Sequence, residues 1–332
     1  MLPEFLTVAV LGKPFWAWGV FFLIVATLLV LDLGVLHRKD REMGVRESLL
    51  MTAFYVTVGL AFSLHVWATI GPVEAVDYLT GFVIEKSLSL DNIFVIALIF
   101  SAFAIPRALQ HRVLFWGILG VIILRGIMIV AGAALVKEYH WVLYLFAAFL
   151  VFTGIKMMFS GVEDPEEKKE LPGFVRHFRM THELDGHKFF VRRPHPKTGK
   201  LVWWLTPLAG ALVVVEFTDL IFAVDSVPAI FAITTDPYIV FTSNIFAILG
   251  LRSLYFALSA MIARFRYLKY ALAAVLIFIG SKIFLVDFLD LTKFPPAISL
   301  GVTVALIAAG VLFSLWRTRR EAVPAVAEPD RH

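Results

Sequence analysis

The 332-residue chain contains no cysteine, which removes disulfides, thiolate metal sites and cysteine nucleophiles together. Charge is scarce as well: Asp, Glu, Lys and Arg make up 17% of the residues, against 60% hydrophobic ones, and mean hydropathy is +0.84. That balance is far too apolar for a water-soluble domain and predicts an all-α polytopic membrane protein embedded in a lipid bilayer. Nor is a cleavable leader expected: the first long apolar run, Trp16 to Val35, has no small-residue cleavage pattern after it and is followed by basic residues, so it reads as a retained span. No phosphate-cradling glycine-rich loop with lysine is present, which argues against ATP-driven pumping by this chain alone. Without a Ser/His, His-Glu-x-x-His or paired catalytic Asp motif in helical context, an enzyme is not expected. The net charge of +4 and pI of 9.2 do not call for nucleic acid, because excess Lys and Arg in cytoplasmic loops gives the same totals.

What is present is a series of nine apolar runs, roughly 14–36, 47–70, 76–104, 108–136, 139–161, 206–232, 239–262, 268–288 and 296–316, each near the ~20 residues that cross a bilayer core. Basic residues fall in alternate loops. Arg38, Lys39, Arg41 and Arg46, then Arg107 and Arg112, nine Lys and Arg in 162–204, then Arg264, Arg266 and Lys269, and the basic tail all lie on one side; Lys13, Lys137 and Lys293 lie on the other. The positive-inside rule then predicts the N-terminus outside and the C-terminus cytoplasmic. The expected division is 1–75, two N-terminal spans; 76–161, a first three-helix unit; 162–204, a cytoplasmic loop with a β-hairpin or a solvated linker; 205–288, a second three-helix unit; 289–317, a last span; and 318–332, a disordered tail.

The two three-helix units echo each other. Asp91-Asn-Ile-Phe-Val-Ile matches Asp219-Leu-Ile-Phe-Ala-Val, Leu124-Arg125 matches Leu251-Arg252, and Phe152-Thr-Gly-Ile-Lys156 matches Phe278-Ile-Gly-Ser-Lys282, in the same order and at near-equal spacing. Three helices is an odd number, so the second unit enters the membrane from the opposite face, the inverted-repeat plan that places a site near the midplane between repeats.

Carboxylates inside these spans are expensive and mark an ion or proton path. Asp91 and Asp219 fall near the centres of spans three and six, and Glu85 and Asp225 each lie six residues outward, ~9 Å along a helix. Glu216 lies inward, three residues from Asp219 and on the same helix face. Asp32, near the cytoplasmic end of span one, extends the file. Asn92, Thr242, Ser243 and Asn244 add neutral oxygens, and Pro228 with Ser226 could open the helix to offer main-chain oxygen. Such ligands suit Mg²⁺, Ca²⁺ or Mn²⁺ rather than Zn²⁺ or Cu⁺. Arg125 and Arg252 are assigned to neutralising carboxylates; Lys156 and Lys282 are open between neutralisation and function; His65 reads as a core residue. Two readings remain in view: a transporter, and a membrane scaffold or assembly factor whose intramembrane charges dock partner helices.

Three stretches resemble the signatures of the TerC family, and within it the bacterial Alx-like branch: Glu85-Lys-Ser-Leu-Ser-Leu-Asp91-Asn92; Glu216-Phe-Thr-Asp219-Leu-Ile-Phe-Ala-Val-Asp225-Ser226-Val-Pro-Ala; and Thr242-Ser-Asn244-Ile-Phe-Ala-Ile-Leu-Gly-Leu-Arg252. The resemblance runs from about Asp32 to beyond Asp287, including Phe189-Phe-Val-Arg-Arg. It implies an inner-membrane protein linked to manganese export and to tellurite resistance, with Glu85, Asp91, Asn92, Glu216, Asp219, Asp225 and Ser226 at the metal site. The combined expectation is cytoplasmic Mn²⁺, or another divalent cation, passing Asp32 and Glu216, resting between Asp91 and Asp219, and leaving past Glu85 and Asp225. Protons exchange for it, since carboxylates in low dielectric take up protons when a metal leaves.

Overall fold

Proline sets the start of many of the elements. In the computed structural model, which describes residues 9–34, 44–139, 141–159, 179–181, 183–194, 199–258, 265, 267–289 and 294–321, four helices begin on Pro72, Pro207, Pro237 and Pro296. The ring pre-sets the helical φ, and its missing N–H is one the first turn leaves unused. The elements are a small hairpin, β1 (Ala9–Val10) and β2 (Lys13–Pro14), then α1 (Phe15–Gly34), α2 (Val45–Thr69), α3 (Pro72–Ala102), α4 (Arg107–Glu138) and α5 (Val142–Phe159). A second hairpin, β3 (Phe190–Pro194) and β4 (Leu201–Leu205), leads into α6 (Pro207–Phe231), α7 (Pro237–Ile248), α8 (Leu251–Leu258), α9 (Leu268–Phe288) and α10 (Pro296–Glu321). The protein is an all-α polytopic membrane protein, and among the described residues seven helical segments are long and apolar enough to cross a bilayer.

Over its described residues, each of the nine apolar runs is mostly helix. α1 has a shorter apolar stretch, Phe15–Leu31, and α3 carries Glu85, Lys86 and Asp91 within one short stretch, so these two stand apart from the seven by apolar length and charge load. The seventh run is not one rod. α7 stops at Ile248 and α8 resumes at Leu251, with Leu249 and Gly250 between them, the latter at φ +82°. A side chain there would meet the left-handed backbone penalty and would also run into Tyr55, whose Cβ lies 2.7 Å from where a Cβ would stand. The opening anticipated at Pro228 does not occur: α6 continues through it to Phe231. Pro228 still has no N–H for the carbonyl of Val224, but it sits in the last turn, where little helix follows to be displaced.

Inside a bilayer every polar group needs an internal partner. Hydroxyls meet this by donating one turn back: Thr57 to Ala53 O, Thr80 to Val76 O, Thr218 to Val214 O and Thr242 to Tyr238 O, at 2.7–2.8 Å. Asp236 caps α7 by accepting from Tyr238 N at 2.9 Å and also pairs with Lys13 at 2.9 Å, tying the first hairpin to that helix start.

The broken pair α7–α8 is the axis of the bundle: 94% of its apolar window is buried. It packs on α3, α4 and α2. Aromatic rings close one end, where Phe21, Phe62, Tyr78 and Phe246 meet edge-on or tilted. On the flank, α5 and α9 approach closely because glycine faces backbone in both directions. A Cβ on Gly154 would sit 2.7 Å from Ala273 O, and one on Gly280 would sit 2.6 Å from Ala147 O. The offset from Gly154 to Gly280 equals that from Ala147 to Ala273, so contacts between these two helices are exchanged reciprocally. This is close small-residue packing of the kind membrane helices use.

Candidate functional site

Four helices aim polar side chains at one buried point. α3 supplies Glu85 and Asn92, α4 supplies Arg125, α6 supplies Asp219 and Ser226, and α7 supplies Asn244; all six are buried. Arg125 is the hub. Its Nη1 donates to Glu85 Oε1 in a very short ion pair and lies 3.1 Å from both Ser226 Oγ and Asn244 Oδ1. That nitrogen has two protons for three acceptors, so Ser226 Oγ shares rather than owns its contact. On the other side, Arg125 Nε and Nη2 approach Asp219 at 3.4 and 3.5 Å. Asn92 Nδ2 donates to Asp219 Oδ1 at 3.1 Å, and Asn244 Nδ2 donates to Glu85 Oε2 at 3.2 Å.

Two carboxylates therefore share one guanidinium, and they are held unequally. Glu85 is gripped tightly by Arg125 and Asn244. Asp219 accepts a normal hydrogen bond from Asn92 but meets Arg125 only at 3.4–3.5 Å, where hydrogen bonding is weak, and it lines a small cavity with Asn92, Thr218, Gly117, Val121 and Phe222 that has room for about one water. Oxygen atoms of Glu85, Asp219, Asn92, Asn244 and Ser226 make a hard donor set suited to a divalent cation of the Mg²⁺, Ca²⁺ and Mn²⁺ type. Among the described residues, no three His, Asp or Glu side chains converge on one point.

The remaining expected residues are scattered. The side chains of Asp32, Asp91 and Asp225 lie outside the described residues, so the facing of Asp91 and Asp219 does too. Glu216 lies against Gly120 of α4, with its carboxylate where a Cβ would be, and its Oε2 is buried with no hydrogen-bond partner. Thr242 spends its hydroxyl on its own helix. Arg252 is buried on α8. Lys282 is buried and donates to Ser299 of α10 at 3.3 Å, whereas Lys156 is exposed on α5, so this matched pair does not enter the network. His65 packs against Trp16 and Phe62.

Sequence reasoning passed over Lys86. Its Nζ donates to Ala247 O at 2.9 Å and Leu249 O at 3.3 Å, the carbonyls freed where α7 stops. Consecutive residues of α3 thus hold Arg125 and Asn244 through Glu85, and the helix break through Lys86. The available signal was a lysine beside Glu85 in an apolar span, together with a Leu-Gly-Leu interruption in span seven.

This arrangement defines a polytopic helical membrane protein with an ionic network buried at its centre. Comparison with known proteins specifies it further: residues 70–322 match the model of the integral membrane protein TerC family, and the chain belongs to that family. It is 46% identical over 310 residues to an uncharacterised membrane protein of Myxococcus xanthus, covering 93% of this chain and 94% of the other. It is 45% identical over 303 residues to an uncharacterised membrane protein of Rickettsia bellii, covering 91% and 97%. Over 319 residues it is 44% identical to Alx of Escherichia coli K12, a protein described as a candidate membrane-bound redox modulator, covering 92% and 95%. No solved structure matches the chain.

Proposed function

We propose that this protein is a secondary transporter of the bacterial inner membrane that exports divalent manganese from the cytoplasm in exchange for protons. One observation carries the reading: two buried carboxylates, Glu85 and Asp219, share the single guanidinium of Arg125 at the centre of the helical bundle. Intramembrane charge of this kind is costly and marks ion paths. Arg125 acts as a tethered cation that neutralises the site between cargo ions. An entering Mn²⁺ competes with it first at Asp219, the loosely held end that faces the cavity. Glu216, with a buried oxygen lacking a partner, receives the ion on the inward side; Asp91 joins Asp219 at mid-depth, and Asp225 lies on the way out. Protons on the carboxylates replace the departed charge. The inverted-repeat plan supplies the alternating access.

The network also has a feature that favours the scaffold reading. Its polar atoms satisfy one another, as a structural ion-pair cluster requires. A redox role of the kind in the name of the Escherichia coli relative would have to run without thiols in this chain.

The decisive experiment is Mn²⁺ flux in sealed proteoliposomes, comparing wild type with Asp219→Asn and Asp91→Asn at matched insertion. Loss of flux in both variants is expected, as is a fall on collapsing the proton gradient. Asp219→Glu separates the readings, because a transport site loses on the order of 10²-fold with a ~1 Å displacement while a salt-bridge scaffold tolerates the change. Folded wild-type protein without flux of Mn²⁺, Ca²⁺ or Mg²⁺ would replace the transporter by the scaffold.

A further inference from the structure

The β3–β4 hairpin has two unlike faces. Its antiparallel register pairs Phe190 with Leu205, Val191 with Trp204, Arg192 with Trp203, Arg193 with Val202 and Pro194 with Leu201. Directly paired residues share a face, and faces alternate along each strand. One face holds Val191, only 5% exposed, and turns toward the protein. The other presents Phe190 at 57% exposure, Trp203 at 58% and Leu201 at 68%, with the Arg192 guanidinium stacked 4.6 Å over the Trp203 ring.

The hairpin is fixed at the membrane boundary by its own chain. Only Thr206 separates β4 from α6, and Thr206 ties back to the hairpin entry, donating from its hydroxyl to Lys188 O at 2.7 Å and from its N–H to Phe189 O at 3.0 Å. Arg112, in the first turns of α4, stands 6.0 Å over the Phe189 ring, and Met180 and Phe103 crowd Gly210 near the start of α6. The starts of two spanning helices and the end of α3 therefore meet under the hairpin. Its exposed apolar face thus stands beside the ends of helices long and apolar enough to span a bilayer, the level at which tryptophan and arginine stems are favoured.

Charge favours an anionic surface. Lys188 and Arg193 are partly offset by Asp185, at 3.4 and 4.0 Å, and Glu183 is close in sequence. Arg192, on the outward face, has no carboxylate partner among the described residues, and Lys200 adds a second exposed cation beside Leu201. We propose that the outward face of the β3–β4 hairpin is a binding surface for anionic phospholipid headgroups, with Phe190, Leu201 and Trp203 inserted at the interface and Arg192 on the phosphate. The stacked ring holds the guanidinium in place, so less freedom is lost on binding. Because β4 runs directly into α6, a lipid held here bears on the helix that carries Asp219.

The absence of native cysteine makes the test clean. Full-length protein with Leu201→Cys, labelled with an environment-sensitive fluorophore, is placed in nanodiscs of phosphatidylcholine alone or mixed with phosphatidylglycerol. Expected are a blue-shifted emission and quenching by shallow spin-labelled lipid that is about twofold stronger with phosphatidylglycerol, given the attraction of each basic residue to an anionic surface. Arg192→Gln should remove that difference and Arg192→Lys should keep much of it; Phe190→Cys supplies a second label site on the same face if Leu201→Cys fails to fold. Water-like emission in both lipids would overturn the proposal and leave the face to a soluble partner. Equal quenching in both would overturn the headgroup part, leaving apolar insertion alone.

Discussion

Arg125 shows how one residue can decide the character of a site. It is only 1% exposed and answers two carboxylates from two other helices, so removing it strands both negative charges in the bundle interior. Arg125→Met is expected to destabilise the fold by about 3–5 kcal/mol, checked by thermal denaturation in detergent. The double variant with Glu85→Gln should recover part of that loss, because one stranded charge is gone. Gly120→Ala behaves differently. The new methyl meets the end of a flexible side chain, Glu216, so stability should change little while the carboxylate swings away. If Glu216 is on the ion path, Mn²⁺ flux falls in this variant at nearly unchanged melting temperature. Most of the hub was visible in the sequence as ionisable or amide residues inside apolar runs: Glu85, Asn92, Arg125, Asp219 and Asn244. Which carboxylate the arginine grips was not, since that depends on the separation of three helices.

The broken helix is the informative feature among the elements. Gly250 turns at φ +82° between α7 and α8, and the Lys86 ammonium caps the carbonyls left at the break. A hydrogen bond from a charged group contributes ~1.5–3 kcal/mol, so Lys86→Met should destabilise by about that amount. The effect should be local, read as faster amide hydrogen exchange at the α7–α8 junction with little change in distant helices. The α5–α9 crossing makes a second demand. Gly154→Val would press on the Ala273 carbonyl and Gly280→Val on that of Ala147, each costing roughly 1–3 kcal/mol through overpacking; thermal melting of the two variants should show matching losses. Neither feature was legible from apolar periodicity. A run such as 239–262 reads as one span because hydropathy records composition and is blind to a single residue with a left-handed backbone.

For the whole molecule, the distribution of Lys and Arg predicts a definite orientation. A reporter fused near Val73 should read outside and one near Thr181 inside; inverse readings would reverse the direction assigned to the ion path. The sequence by itself determined the class of this protein, a helical bundle in a bilayer, because burial in lipid demands long apolar runs and those are counted directly along the chain. It also determined which residues are costly inside that bundle, since a charge in an apolar run is expensive wherever the run is placed. Only the tertiary structure decided that Arg125 joins Glu85 to Asp219, that Lys282 is buried against Ser299 while Lys156 stays at the surface, and that Lys86 seals a broken helix. These outcomes depend on contact distances between separate helices, and those distances are fixed by how the side chains of a packed bundle fit together rather than by the order of residues along any one span.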